Sequence, residues 1–219
     1  MNLINKDYIE KFLSELVRLP ETSTMLEIRH LAEKEGYPIL RPSTAAFLNV
    51  LIGLKKPVSA LEIGTSIGYS GSLILQAMGP EGRLITVDSD EDILETARKY
   101  FEKQGVANRV TLIAGDGGDV LHHLEDSFDF IFLDGPKAQY LLYLPDCIRL
   151  LRNGGVLVCD DVLFYGMVAK DELVRKRKIT IVKRMRKFLR SLVENPAFGT
   201  TIVPIGDGIS ISVKKEVEF

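Results

Sequence analysis

Three aspartates stand at the ends of two apolar runs: Asp134 closes FDFIFLD (128–134), and Asp160 and Asp161 close GVLVCD (155–160) and follow it. Three carboxylates brought together repel one another strongly unless protons or a cation intervene. Oxygen donors of this kind suit a hard divalent cation such as magnesium, which keeps places for water or substrate and so forms an open, catalytic type of site. Lys137, three residues past Asp134, is placed to take a proton from a bound group or, alternatively, only to form an ion pair with Asp134. For Asp160 and Asp161 the other reading is that one caps a helix and the other is solvated.

A second cluster surrounds Glu62-Ile63-Gly64-Thr65-Ser66-Ile67-Gly68-Tyr69-Ser70. Glycines in a strand-to-helix turn let the backbone approach a ligand and aim helix N–H groups at it. Gly64 and Gly68 are separated by three residues, which departs from the Gly-x-Gly-x-x-Gly of nicotinamide enzymes. Asp88, at the tip of the next apolar run, is placed to accept from ribose hydroxyls, or else to cap the helix beginning near Glu91. His30, His122 and His123 share no motif, Ser70 lacks the Gly-x-Ser-x-Gly setting of a hydrolase nucleophile, and Cys147 and Cys159 read as buried reduced thiols.

The elements that must position these groups alternate. Apolar runs at 58–63, 83–88, 109–114, 128–134 and 155–160 are each followed by a helix-length segment, and runs at 200–205 and 208–213 flank Gly206-Asp207-Gly208. Five strand-helix alternations predict parallel strands covered on both faces, and the last pair predicts a hairpin that makes the sheet mixed. Ligands on such sheets bind beyond the carboxyl ends of the strands, where the chemistry-bearing residues collect. The first 55 residues read as helices over 7–17, 21–35 and 43–54.

The chain has 219 residues, 46% hydrophobic and 26% charged, which fits one globular domain and excludes low-complexity classes. No apolar run reaches the ~18 residues of a membrane helix and the N-terminus is polar, so a cytoplasmic protein with no membrane partner is expected. The formal net charge of −2 conceals ten Lys/Arg within 170–190 against Asp171 and Glu172. Apolar Leu173, Ile179, Val182, Met185, Leu189, Leu192 and Val193 predict an amphipathic helix over 172–194 with a basic exposed face. Such a face is usually only solvated; here it follows the Asp160-Asp161 loop, so a polyanionic substrate would be held beside the site.

LEIGTSIGYS, FIFLDGPKAQY and VCDDVLFYGMV, in this order and at these separations, resemble the motifs of the cation-dependent O-methyltransferases, the family of the catechol and caffeoyl-coenzyme A enzymes. The resemblance spans the whole chain and implies one methyltransferase domain over 1–219, with a helical cap (1–55) and a cofactor-binding α/β core (56–219) on a doubly wound, seven-stranded, mostly parallel sheet. It implies S-adenosylmethionine and Mg2+, or another divalent cation such as Mn2+, as cofactors. Glu62, Gly64, Tyr69 and Ser70 would line the methionine part, Asp88 would hold the ribose, Asp116 would lie near the adenine, and Asp134 would border the cofactor. Asp134, Asp160 and Asp161 would bind the metal, and Lys137 would be the general base, its pKa lowered by the cation, so that an acceptor oxyanion attacks the sulfonium methyl in line. The family usually has Asn at the position of Asp161 and a small residue such as Ala at that of Gly135. Dimers are frequent in the family, and a homodimer is expected.

Within the family, DDVLFYGMVA, the Arg/Lys run at 175–178, NPAF (195–198) and TTIVPIGDGISIS (200–212) are similar to bacterial enzymes that methylate 5-hydroxyuridine in tRNA to 5-methoxyuridine. On that reading Arg175, Lys176, Arg177, Lys178, Lys183, Arg184, Arg186 and Lys187 would contact RNA, with Phe164, Tyr165 and Phe188 the nearest aromatic side chains for stacking. The alternatives are a small catechol-like or hydroxycinnamoyl acceptor and, in another class, a non-catalytic RNA-binding protein on the same fold.

Overall fold

The computed structural model describes residues 4–216. Three helices come first: α1 (Asp7–Leu16), α2 (Ser23–Glu35) and α3 (Pro42–Lys55). α2 begins two residues later than the apolar pattern, because the Thr22 side chain accepts the Met25 N–H and sets the helix start. The core then runs β1 (Ser59–Ile63), α4 (Tyr69–Met78), β2 (Arg83–Asp88), α5 (Glu91–Lys103), β3 (Val110–Ala114), α6 (Gly117–His123), β4 (Phe128–Leu133), α7 (Tyr140–Leu150), β5 (Leu151–Cys159), α8 (Ile179–Val193), β6 (Phe198–Val203) and β7 (Ile209–Lys214).

The strands form one sheet in the order β3-β2-β1-β4-β5-β7-β6. β1 to β5 are parallel, while β7 runs antiparallel to both β5 and β6. The chain winds outward from β1 to β3 and then crosses to β4, so the order reverses between β1 and β4. Alternation along β4 shows how both faces are closed. Phe130 and Phe132 pack with α2 to α5 on one face, and Ile131 and Leu133 pack with α6 to α8 on the other. Residues buried on both sides are why these strands read as continuous apolar runs. Cys147 and Cys159 are free and buried in the second layer. Among the described residues, no helix is long and apolar enough to cross a membrane.

Two boundaries differ from the sequence reading. β5 starts at Leu151, and Asn153-Gly154-Gly155 forms an irregularity within it, with the register to β4 shifting between Phe128 and Phe130. The amphipathic helix begins at Ile179, not at 172, after 3-10 turns at Asp171–Leu173 and Lys176–Lys178. Leu173 and Val174 turn aside to pack on Phe164, Met167 and Val182, which a helix running straight through would prevent.

Candidate active site

The strand ends at the reversal of order enclose a cavity of about 400 Å³, within the range that holds a cofactor-sized molecule. The turn from β1 into α4 forms one wall. Gly64 (φ 105) must be glycine there, because a Cβ would lie 2.6 Å from the Asp134 carbonyl oxygen. Asp88 spans two loops: its Oδ2 accepts the Ser66 N–H at 2.9 Å and its Oδ1 the Asp90 N–H at 3.3 Å. Asp90 caps α5, which removes helix capping as the reason for Asp88. Asp116, by contrast, caps α6 through the Gly118 and Asp119 N–H groups while its residue borders the cavity.

Gly64, Tyr69, Ser70, Asp88, Asp116, Asp134, Lys137 and Asp161 all reach the cavity wall, whereas Glu62 and Asp160 stand behind it. Tyr69, the first residue of α4, donates through its hydroxyl to Glu21 at 2.8 Å and accepts from Arg29. Arg29 and Glu21 are themselves an ion pair, so the N-terminal helices brace the cavity from outside. The buried Glu62 accepts the Thr86 hydroxyl at 2.6 Å on Oε2, while Oε1 has no hydrogen-bond partner among the described residues. Burial pushes its pKa up to about 8, with Ser70 and Thr86 opposing. The hydroxyls of Ser66 and Tyr143, on residues of the cavity wall, are likewise buried without partners among the described residues. Unsatisfied polar atoms beside apolar Ile63 and Val87 suit a ligand with both polar and apolar parts.

At the far end, Lys137 Nζ lies 2.7 Å from Asp134 Oδ1, 3.3 Å from Asp161 Oδ2 and 3.2 Å from the Tyr140 hydroxyl. Tyr140 in turn faces the carbonyls of Leu133 at 2.9 Å and Asp160 at 3.3 Å. Burial works to lower the Lys137 pKa, but Tyr140, Asp134 and Asp161 outweigh it and hold the ammonium well above the ordinary lysine value. Burial also pushes the Tyr140 phenol far up, so it is neutral and the two carboxylates supply the opposing charge. The lowering expected from the sequence is one that a bound cation would produce; here the carboxylates alone set the shift.

Asp160 is pushed well above the usual carboxylate range by burial and then by Asp134 and Asp161. Asp134 is raised by burial, with Lys137 opposing. Among the described residues no three Asp, Glu, His or Cys side chains converge closely enough to hold a metal ion. Asp134 and Asp161 close on the Lys137 ammonium, and Asp160 Oδ1 accepts the Asp161 N–H at 2.7 Å. The donor chemistry still fits a hard divalent cation: two carboxylates share one ammonium, Asp160 stands beside them without a cationic partner among the described residues, and burial destabilises Asp134 and Asp160. Asp161 (φ 56), Phe164 (φ 45) and Tyr165 (φ 58) are all left-handed, a strain of about 1–3 kcal/mol each that collects at functional sites.

The basic residues separate into two groups. Arg175, Lys176, Arg177, Lys178, Lys183, Arg184 and Lys187 are exposed. Arg186 is a structural residue instead, donating to the Val168 and Met167 carbonyls and pairing with Asp171 at 2.6 Å. Arg184 donates to the Ala138 carbonyl at 3.3 Å, one residue from Lys137. Of the aromatic candidates, Phe164 and Phe188 are buried and Tyr165 is 59% exposed.

Tyr140, Asp207 and the Glu21–Arg29 pair escape a reading by motif. Tyr140 is three residues from Lys137 and so had a local signal; Asp207 looks like a plain turn residue between glycines. Glu21 and Arg29 meet Tyr69 only through the tertiary fold.

Comparison with known proteins agrees with this geometry. Residues 11–215 match a protein family described as O-methyltransferase. A caffeoyl-CoA O-methyltransferase of Petroselinum crispum is 29% identical over 223 residues, covering 96% of this chain and 92% of that one. The O-methyltransferase from Bacillus cereus, solved in complex with S-adenosylhomocysteine, superposes with a TM-score of 0.82 at 26% identity, over 95% of this chain and 97% of that one. An S-adenosylhomocysteine-bound methyltransferase of Podospora anserina has a TM-score of 0.85 at 22% identity, over 97% of each chain, a likeness of fold. With the sequence match running through both the cavity wall and the sheet that forms it, the chain belongs to the O-methyltransferase family.

Proposed function

We propose that this enzyme transfers the methyl group of S-adenosylmethionine to a hydroxyl, and that its acceptor is 5-hydroxyuridine in tRNA. The observation that carries the acceptor is the exposed basic run around 175–187, tied to the site where Arg184 meets the Ala138 carbonyl. Arginine and lysine at the mouth of a pocket hold a phosphate backbone while an unstacked base enters.

In this reading Asp88 holds the cofactor ribose, Asp116 faces the adenine, and Gly64, Tyr69 and Ser70 line the methionine end, supported from behind by Glu62. Asp134, Asp160 and Asp161 would hold Mg2+ or Mn2+, which supplies a lowered pKa for an acceptor hydroxyl. Lys137 Nζ takes the hydroxyl proton; its neutral form requires that Asp134 and Asp161 no longer pair with it. Tyr140 keeps Nζ in place during that exchange. The second reading, a small catechol-like or hydroxycinnamoyl acceptor, is favoured by the similarity to caffeoyl-CoA O-methyltransferase and leaves the basic run merely solvated. We also infer a cytoplasmic homodimer, for which α1 offers Tyr8, Phe12, Leu13 and Leu16, all exposed.

Charge reversal separates the two acceptors. Lys183→Glu, Arg184→Glu and Lys187→Glu together, with Arg186 left intact, should reduce tRNA methylation at least about 100-fold and leave catechol methylation within about threefold. Undiminished tRNA methylation by this variant would exclude the basic run as the RNA surface.

A further inference from the structure

The Gly206-Asp207-Gly208 turn joins β6 to β7 and lies outside the cavity wall, yet Asp207 is only 5% exposed. Both oxygens accept from one main-chain donor, the Tyr165 N–H, at 2.7 and 2.8 Å. The main chain of the turn adds two bonds to the same loop. Leu163 donates to the Asp207 carbonyl and Val162 to the Gly208 carbonyl, both at 2.9 Å. The flanking glycines are required by this fit: a Cβ at 206 would lie 2.5 Å from Thr44 Oγ1, and one at 208 would collide with Leu163.

The loop held in this way is the one that carries Asp161. Residues 161, 164 and 165 are all left-handed although none is glycine, and side chains as large as Phe and Tyr rarely adopt that region unaided. Phe164 donates its N–H to the Asp161 carbonyl, so the path at 164 and 165 is coupled directly to the position of 161. Burying a carboxylate is costly unless a strong partner compensates, and here the compensation is a charge-assisted bond to the strained residue itself.

We propose that Asp207 is a positioning residue for methyl transfer, fixing the left-handed path of 161–165 and so holding Asp161 beside Lys137. The role applies to either acceptor, since it concerns the loop on which Asp161 sits.

The test combines rates with amide exchange on the full chain. With S-adenosylmethionine and, in parallel, catechol and tRNA bearing 5-hydroxyuridine, Asp207→Ala should lower kcat roughly 10–100-fold and leave the KM for S-adenosylmethionine within about threefold. Amides of 162–165 should exchange faster while those of β1 and β4 do not change. Asparagine tolerates the left-handed region, so in a Tyr165→Asn background removal of the Asp207 carboxylate should cost less than about threefold. Asp207→Asn, which keeps the shape and one acceptor oxygen, should lose less than about tenfold in kcat with the same selective exchange, and it carries the test should the alanine variant fail to fold. An equal cost of Asp207→Ala in both backgrounds, or exchange that rises evenly through the sheet, would overturn the proposal. If neither acceptor is methylated, the acceptor reading fails and the exchange pattern alone decides the role of Asp207.

Discussion

Glu62 stands behind the cavity wall and Lys137 lines it, and they are shifted by opposite physics. Glu62 is raised by burial to about 8 from an ordinary 4.5, so between those values the folded chain keeps a proton that the unfolded chain has released. Its contribution to stability is complete below about pH 4.5, erodes as pH rises, and is lost above about 8, at up to about 1.4 kcal/mol per pH unit. The other raised carboxylates, Asp134 and Asp160, act in the same direction, so the informative quantity is a difference. Glu62→Gln should gain on the natural chain in thermal midpoint as pH goes from about 5 to about 8; a difference that does not depend on pH would contradict the assignment. Lys137 is held as an ammonium by Asp134 and Asp161. Lys137→Met should reduce kcat roughly 10²–10⁴-fold, while S-adenosylmethionine binding measured by calorimetry stays within about threefold. Retention of more than about a tenth of kcat would remove it from proton transfer. The aspartates were legible at this scale because each ends an apolar run. That both Asp134 and Asp161 turn toward Nζ was not legible, since the tertiary fold decides it.

At the scale of elements, the strands were readable because the central ones, β1, β4 and β5, are buried on both faces, and their carboxyl ends border the cavity. What escaped was wherever long-range packing overrides local pattern: β5 absorbing the Asn153-Gly154-Gly155 stretch, and α8 starting only where Leu173 and Val174 leave its path. α1 shows the converse case. Its apolar stripe is strong, yet none of its residues is buried, with Tyr8, Phe12 and Leu16 each more than half exposed. Exposed apolar surface of this extent marks a contact face. If α1 is the contact of the proposed homodimer, Phe12→Glu with Leu16→Glu should yield a monomer by sedimentation where the natural chain sediments as a dimer. An unchanged sedimentation coefficient would contradict α1 as a subunit contact.

Taken whole, the molecule sets a cavity of mixed polar and apolar lining at the reversal of a doubly wound sheet, braces it with N-terminal residues through Glu21, Arg29 and Tyr69, and backs its acidic end with the β6–β7 turn. A basic surface begins beside that same end, at Arg184. The acceptor joins these parts into one function, so the direct test is methyl transfer from radiolabelled S-adenosylmethionine to tRNA bearing 5-hydroxyuridine and to catechol, each with and without EDTA. EDTA-sensitive label in the tRNA, at least about tenfold above that in catechol, is the predicted result. Label in catechol alone would contradict the tRNA assignment, and label in tRNA undiminished by EDTA would contradict the role given to Asp134, Asp160 and Asp161.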